Sequence, residues 1–182
     1  MNKDLLKDLY FEKDADISLI QKKKVAIIGY GNQGRAQALN LRDSGVSVIV
    51  GARESGCSEQ NAKDDGFNVF SIENAVSRVD VIAILLPDQV MSTVYYQSIA
   101  PNLSAGNILQ FSHGYNIHYK KIIPPKDIDV IMVAPSGAGK MVRQEFETGS
   151  GVPNLIAIHQ DYSETAFDMA LSYSKAIGGT RS

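Results

Sequence analysis

The chain has 182 residues, of which 44% are hydrophobic and 21% charged, and its formal net charge is −2. These values are typical of a globular protein of one domain with a good core. The nearly balanced charge argues against a nucleic-acid partner, the apolar runs are too short for a membrane span, and the single cysteine, Cys57, excludes an intramolecular disulfide and a cysteine zinc site.

The N-terminal residues, 1–21, are predicted to form a short helix or an arm that leads to the first strand. Acidic residues stand among the apolar ones in this segment. It therefore does not resemble a signal or transit peptide. We expect a cytoplasmic protein with no membrane partner.

Apolar runs typical of strands alternate with helix-like segments from Lys24 onward. The predicted strands are Val25–Ile28, Val46–Val50, Asn68–Phe70, Val81–Leu85, Asn107–Gln110, Val130–Ala134 and Leu155–Ile158. The predicted helices are Gln33–Ser44, Ser58–Asp65, Ile72–Val79, Met91–Ala100 and Ser163–Ile177. Several strands are apolar throughout, as strands covered on both faces are. This alternation predicts a Rossmann-like α/β fold, a doubly wound and mostly parallel sheet with helices on both faces and right-handed βαβ crossovers.

The first strand runs into a glycine-rich turn with the pattern G-x-G-x-x-G. It consists of Gly29, Tyr30, Gly31, Asn32, Gln33 and Gly34. In a dinucleotide site the first glycine allows the tight turn, the second admits a pyrophosphate to the backbone, and the third lets the helix pack on the strand. The helix start adds free N–H groups and a positive dipole end. The pattern alone is a weak signal, but the strand before it and the helix after it favour a dinucleotide site over a structural turn.

Polar or glycine-rich loops also follow four later strands, at the edge where such sheets bind ligands. These loops are Gly51–Ser58, Pro87–Gln89, Ser112–Gly114 and Pro135–Lys140. NAD-specific folds usually place an acidic residue after the second strand, whereas this chain has Arg53. A planar guanidinium suits a 2′-phosphate, and Ser55 and Ser58 can add hydroxyl donors, so we predict NADP(H). The alternatives are a solvated Arg53 and a Glu54 that holds a ribose hydroxyl.

His113 follows an apolar strand and precedes a glycine, so we expect it to point into the cleft. There it could orient a substrate or move a proton, and a hydrogen-bonded structural histidine is an equal alternative. His118 and His159 lack such surroundings and are interpreted as structural. Asp88 is predicted to cap the following helix, to contact the cofactor, or both.

Two other kinds of site are not supported by the sequence. Ser136–Lys140 faintly resembles a phosphate loop, but the glycine four residues before Lys140 is missing and a methionine follows it. A nucleoside triphosphatase is therefore rejected. No set of Asp, Glu and His at helical spacing indicates a metal site.

Eight segments of the chain occur together, in the same order, in one known family. They are Asp14–Ile20, Ile27–Gly34, Asn40–Val46, Leu85–Asp88, His113–His118, Asp129–Pro135, Gly151–Pro153 and Ile177–Arg181. On these segments, nearly everything from Tyr10 to Arg181 resembles the N-terminal NADP-binding domain of class I ketol-acid reductoisomerases, also called acetohydroxy-acid isomeroreductases. A generic dinucleotide-binding protein would share only the first glycines.

The resemblance implies an NADP(H)- and magnesium-dependent oxidoreductase of branched-chain amino-acid biosynthesis. Such enzymes convert 2-acetolactate or 2-aceto-2-hydroxybutyrate to 2,3-dihydroxy acids by a metal-assisted alkyl shift and a hydride transfer. By resemblance, Tyr30–Gln33 would hold the pyrophosphate, Arg53 and Ser58 the 2′-phosphate, and His113 would be the active-site histidine. The residues expected to line the cofactor groove or contact the cofactor are Asp88, Gln89, Val90, Met91 and Gly139.

The chain departs from the family pattern at two positions. The second phosphate-binding serine of the family falls on Gly56, where the adjacent Ser55 could substitute. The family's lysine near the metal-bound substrate is Ser136 here, and whether Lys140 replaces it stays open. We carry two hypotheses: the cofactor half of a ketol-acid reductoisomerase, and a catalytically degenerate stand-alone NADP(H)-binding relative.

The family's metal-binding carboxylates belong to a helical, knotted C-terminal domain that follows the region matched here. We therefore expect residues 1–182 to form the dinucleotide-binding domain alone, with no metal ligands of its own and no activity by itself. Substrate preference and oligomeric state, a homo-oligomer included, are left open by the sequence.

Overall fold

The computed structural model describes residues 8–181, which contain seven strands and eight α-helices. The strands are β1 (Lys24–Ile28), β2 (Ser47–Gly51), β3 (Val69–Phe70), β4 (Val81–Ile84), β5 (Ile108–Phe111), β6 (Asp129–Pro135) and β7 (Asn154–Gln160). The helices are α1 (Ser18–Gln21), α2 (Asn32–Asp43), α3 (Cys57–Asp64), α4 (Ile72–Val76), α5 (Asp88–Val94), α6 (Tyr115–His118), α7 (Gly139–Glu147) and α8 (Ala166–Ala176). None of the helices within residues 8–181 is both long and apolar enough to cross a membrane.

All seven strands form one sheet with the order β3-β2-β1-β4-β5-β6-β7. The first six strands are parallel, and β7 pairs antiparallel with β6. The direction of winding reverses between β1 and β4, which is the point where such sheets bind ligands. There Ile28 lies beside Gly51 on one side and Ile84 on the other, so the carboxyl ends of the three strands are level.

The core is divided between the two faces of the sheet, because alternate strand residues point to opposite sides. Ile27 and Ala83 belong to a cluster with apolar residues of α2 and α8. Ile28 and Ile84 belong to a second cluster, with residues of α4 and α5. Apolar side chains on both faces explain the unbroken hydrophobic runs of β1 and β4. The predicted doubly wound α/β fold is confirmed.

The last strand differs from the βαβ pattern, because β7 is antiparallel. Its residues alternate between half-buried and exposed positions, which is the pattern of a strand covered on one face only. The preceding helix, α7, packs against α2, so it does not cross the sheet between β6 and β7. The sequence-based prediction contained no helix over Gly139–Glu147, because the glycines before it were interpreted as a loop.

Several element bounds also differ from the prediction. The segment predicted as a helix over Met91–Ala100 consists of α5, a π-helical turn at Tyr95–Ile99 and a 3-10 turn at Ala100–Asn102. Of the predicted N-terminal helix or arm, residues 1–7 lie outside the described residues. The rest contains a 3-10 turn at Glu12–Asp14 and α1.

Candidate functional site: a groove at the carboxyl ends of the strands

A groove of about 720 Å³ opens at the carboxyl ends of β1, β2 and β4. This volume lies in the range of small-molecule and cofactor sites. One part of its wall is the glycine-rich turn, a second is the loop after β2, and a third is apolar. The lining residues are Gly29–Gln33, Gly51–Arg53, Gly56–Ser58, Ile72, Leu85–Pro87, Val90 and Val94.

The glycine-rich turn has the shape that a phosphate cradle requires. Gly29 has φ +96°, and a Cβ there would lie 2.8 Å from the Leu85 carbonyl oxygen. A Cβ on Gly34 would collide with the carbonyl oxygen of Gly29, so α2 packs directly on the turn. A Cβ on Gly31, by contrast, would meet no atom of residues 8–181 within 4 Å. The first N–H groups of α2 have no intrahelical partner, and together with this space they suit a pyrophosphate.

The side chain of Tyr30 is hydrogen-bonded within the protein. It is buried, and its hydroxyl donates to Asp65 Oδ2 at 2.8 Å. Burial, reinforced by that carboxylate, raises the pKa of Tyr30 above its usual range. Arg35 donates two hydrogen bonds to Asp65, at 2.6 and 2.8 Å, and these bonds are the main cause of the lowered pKa of Asp65. The side chain of Gln33 is likewise hydrogen-bonded and donates to the Gly137 carbonyl. The groups that Tyr30 and Gln33 offer to a phosphate are therefore their backbone N–H groups.

The loop after β2 brings Arg53 and Ser58 to the groove, as the sequence predicts. Arg53 is exposed, and no carboxylate within residues 8–181 lies at salt-bridge distance from it. Ser58 lies in the first turn of α3, whose free N–H groups add to the anion-binding character of this end of the groove.

Ser55, the third predicted residue of this loop, does not line the groove. Its φ is +58°, and its N–H donates to Glu59 Oε2 at 2.6 Å. Lys63 also bonds to Glu59, and these two interactions lower the pKa of the carboxyl group. The backbone of Ser55 thus ties the loop to the first part of α3, and the contact of Ser55 with a cofactor stays a prediction.

Of the four α5 residues that were predicted to line the groove, Val90 does so. Val94 follows one helical turn later on the same face. Met91 lies on a different face of the helix, buried in the core, where its sulfur accepts a hydrogen bond from Asn116. The Met91 side chain is therefore turned into the core, and its predicted contact with a cofactor stays a prediction. Asp88 and Gln89 are not among the lining residues either.

His113 is not among the residues that line the groove, and its side chain is 69% exposed. Its Nδ1 is 3.5 Å from Asp88 Oδ2 and 3.2 Å from the Tyr115 backbone nitrogen. Nδ1 accepts a hydrogen bond from the Tyr115 N–H, and the Asp88 carboxylate lies within salt-bridge distance of the same nitrogen. Asp88 is the first residue of α5, and Pro87 holds the cap position, so the predicted capping role is wrong. Asp88 also accepts a hydrogen bond from Asn116.

The loop after β6 is separated from the groove. A Cβ on Gly139 would collide with the Asn32 carbonyl oxygen, which shows that α7 packs against the first turn of α2. This packing is what the structure shows for Gly139, and its predicted cofactor contact stays untested. Lys140 lines a second cavity of about 710 Å³ together with Arg35 and Arg143, and not the groove. Ser136, at the site of the family lysine, is exposed.

Two kinds of residue were missed by the sequence reasoning. The apolar wall of Ile72, Leu86 and Val94 has no signal that distinguishes it from core. Gln37, which bonds to Gln33, stands four positions after it, and this spacing places both on one helix face. Within residues 8–181, no group of three or more His, Cys, Asp or Glu side chains could hold a metal ion.

Comparison with known proteins places this geometry in a family. Residues 19–182 match the family model described as "Acetohydroxy acid isomeroreductase, NADPH-binding domain". Over 174 residues the chain is 50% identical to the ketol-acid reductoisomerase (NADP(+)) of Petrotoga mobilis, an alignment that covers 96% of this chain and 53% of that protein. It is 53% identical over 173 residues to the protein of the same name in Pyrococcus abyssi, with 95% and 52% covered.

One solved structure that is similar to this chain is that of an NADH-preferring ketol-acid reductoisomerase from an uncultured archaean. Its TM-score is 0.93 at 44% identity, and the match covers 96% of this chain and 54% of that one. The chain thus spans about half the length of the relatives that it matches. The matched family model, the level of identity and the groove agree: the chain belongs to the ketol-acid reductoisomerase family, and it corresponds to the NADPH-binding domain of that family.

Proposed function

We propose that the groove binds NADP(H). The pyrophosphate would lie at the first turn of α2, where a Cβ-free position, Gly31, faces open space. The 2′-phosphate would lie at Arg53, Ser58 and the first turn of α3. This proposal depends mainly on the position of Arg53, an exposed guanidinium at the groove wall with no carboxylate partner among the described residues.

The activity that we propose for the whole protein is that of a ketol-acid reductoisomerase. It acts on a small acetohydroxy acid, 2-acetolactate or 2-aceto-2-hydroxybutyrate, in the cytoplasm. The cofactor supplies the hydride when bound, and the chain's own residues bind and orient it. His113, with Asp88 at its Nδ1, is proposed to meet the substrate.

The magnesium ions of the family do not fit the described part of this chain, because no suitable group of ligands occurs there. We propose that the metal ligands belong to the half of the family's proteins that this chain does not match. The present chain would then be one domain, 1–182, that binds the cofactor for a reaction completed elsewhere in the protein.

The experiment that tests cofactor binding compares NADPH with NADH, because one relative of known structure prefers NADH. We expect calorimetric titration of the 182-residue chain to show tighter binding of NADPH. Arg53→Ala should weaken NADPH binding about 10- to 100-fold, as expected for a charge-assisted phosphate contact, and leave NADH affinity nearly unchanged.

Arg78→Ala is the matched control, since it removes the same charge from an exposed arginine that stacks on Phe70, outside the groove. It should leave both affinities unchanged. Equal affinities of the unmodified chain for NADPH and NADH would overturn the NADP(H) assignment.

Ser136 favours a second candidate function, a catalytically degenerate NADP(H)-binding relative. Lys140, the nearest lysine that could replace the family's, lines the second cavity instead of the groove. Ser136→Lys in a protein that contains both halves distinguishes the candidates. A large gain in turnover supports degeneracy, whereas an already active parent supports the enzyme.

A further inference from the structure

Buried and partly buried hydrogen bonds connect the glycine-rich turn with the strand end that carries His113. Their centre is Gln37 of α2, whose side chain is fully buried. Gln37 Nε2 donates to Gln33 Oε1 at 3.1 Å and to Ser112 Oγ at 3.0 Å. The hydroxyl of Tyr173, which is fully buried on α8, donates to Gln37 Oε1 at 2.9 Å.

Each group in this network has a defined role as donor or acceptor, and these roles follow from Tyr173. Burial raises the pKa of the Tyr173 hydroxyl far above its usual range, so the group keeps its proton. When Oε1 of Gln37 accepts from Tyr173, its two amide hydrogens serve Gln33 and Ser112, one each. Gln33 then turns its own amide nitrogen to the Gly137 carbonyl oxygen, at 2.8 Å. The orientation of every amide in the network is therefore set by its neighbour.

Three segments meet on this network, and only the first of them lines the groove. Gln33 belongs to the turn, Gly137 to the loop after β6, and Ser112 to the end of β5, directly before His113. The Ser112 hydroxyl is anchored further by donating to the Val133 carbonyl oxygen at 3.0 Å. Because a buried polar group that loses its partner costs about 1–3 kcal/mol, these segments hold each other in place.

We propose that Gln37 and Tyr173 are positioning residues for the cofactor site. They fix the side chain of Gln33 and, through Ser112, the backbone at His113, so that the turn and the histidine keep one relative position. Neither residue touches the groove. The inference rests on the proposed function, because the turn must bind a cofactor for its position to matter.

Two substitutions test this role. Gln37→Met keeps the length of the side chain and removes all three hydrogen bonds, and Tyr173→Phe removes one hydroxyl. We expect each to raise the Kd for NADPH about tenfold, the equivalent of about one hydrogen bond. The matched control is Tyr95→Phe. Tyr95 is equally buried, in the core on the opposite face of the sheet, and its hydroxyl has no partner within residues 8–181. This control should leave the Kd unchanged.

Two further readouts separate positioning from a general loss of stability. If Gln37 acts on the cofactor through Gln33, then Gln37→Met should add nothing to the loss caused by Gln33→Ala. The ring signals of His113 in NMR spectra should shift in Gln37→Met and Tyr173→Phe, and stay in place in Tyr95→Phe. Thermal unfolding identifies the conditions under which each variant is folded, and all binding measurements are made there. If Gln37→Met does not fold, the test is made with Tyr173→Phe, which is the milder change.

The outcomes distinguish a failure of the positioning role from a failure of the proposed cofactor binding. Folded variants with unchanged NADPH affinity and unchanged His113 signals would overturn the positioning role, and so would losses that add to that of Gln33→Ala. An unmodified chain that binds no NADPH would overturn the proposed function instead. The histidine signals would then still report whether the network holds His113.

Discussion

Two glycines at the start of α2 lie in opposite surroundings. A Cβ on Gly34 would overlap the backbone oxygen of Gly29, whereas a Cβ on Gly31 would meet no atom of the described residues within 4 Å. Gly31 has φ −85°, an ordinary value for any residue. The fold therefore requires glycine at position 34, and only a ligand would require it at position 31.

We expect Gly34→Ala to lower the free energy of unfolding by about 1–3 kcal/mol, because the overlapped backbone cannot move away. Gly31→Ala should change it by less than about 1 kcal/mol. The same change should weaken NADPH binding at least about tenfold, since the methyl group would take the space proposed for the pyrophosphate. Urea unfolding and calorimetric titration measure the two effects, and a stable Gly34→Ala protein or a tightly binding Gly31→Ala protein would contradict this division.

The direction of individual side chains is where sequence reasoning at the residue scale reached its limit. The glycine-rich turn could be located because its residue types and flanking elements form a local pattern. Tyr30, however, hydrogen-bonds to Asp65, which is 35 positions away in the chain. Met91 turns into the core although Val90, its neighbour, lines the groove. The partner of Tyr30 is a tertiary neighbour, which the local pattern does not contain, and the direction of Met91 follows from which face of α5 packs on the core.

At the scale of elements, α2 and α3 are joined through one carboxylate. Asp65, which follows the last residue of α3, accepts hydrogen bonds from Arg35 and Tyr30, both near the start of α2. The pKa of Asp65 is lowered, chiefly by its bonds to Arg35. A carboxyl group with a lowered pKa in the folded state stabilises the fold above its unfolded pKa, and this contribution is lost as the pH falls through the folded value.

Asp65→Asn should therefore lower the free energy of unfolding at pH 7 by about 1 kcal/mol, a modest value because Arg35 is partly solvated. The difference from the unmodified chain should shrink once the pH falls below about 4, near the unfolded pKa of an aspartate. Urea unfolding at several pH values measures it. Asp64→Asn is the matched control, since Asp64 is exposed and, within residues 8–181, accepts only from Gln60. A pH-independent effect of Asp65→Asn would count against this link.

The strands were predicted better than the helices, because all seven lie within two residues of their predicted bounds. Strands β1, β4 and β5 are buried along nearly their whole length, and their apolar runs were located to within a residue or two. Helix α7 was missed because Gly137 and Gly139 disfavour a helix locally. Gly139 is nonetheless required there by the close approach of α7 to Asn32. Tertiary packing has overridden local propensity at this point.

At the scale of the whole molecule, the topology could be predicted because alternating strands and helices allow few arrangements. The glycine-rich turn and Arg53 lie at the same edge of the sheet, as this topology predicts. The network of Gln37 could not be predicted, because Tyr173 is 136 positions away from it in sequence. A pattern of residue types locates a site, and long-range contacts determine how that site is held.

The division between cofactor binding and metal chemistry predicts how the 182-residue chain behaves alone. We expect it to bind NADPH and to form no dihydroxy acid from 2-acetolactate and Mg²⁺. The alkyl shift needs a Lewis acid, and residues 8–181 bring no three metal-ligating side chains together. NADPH consumption and chromatography of the products measure turnover, with the full-length Pyrococcus abyssi relative as the positive control. Product above a protein-free blank would contradict the proposal, whereas binding without turnover would assign the metal-dependent step to residues outside this chain.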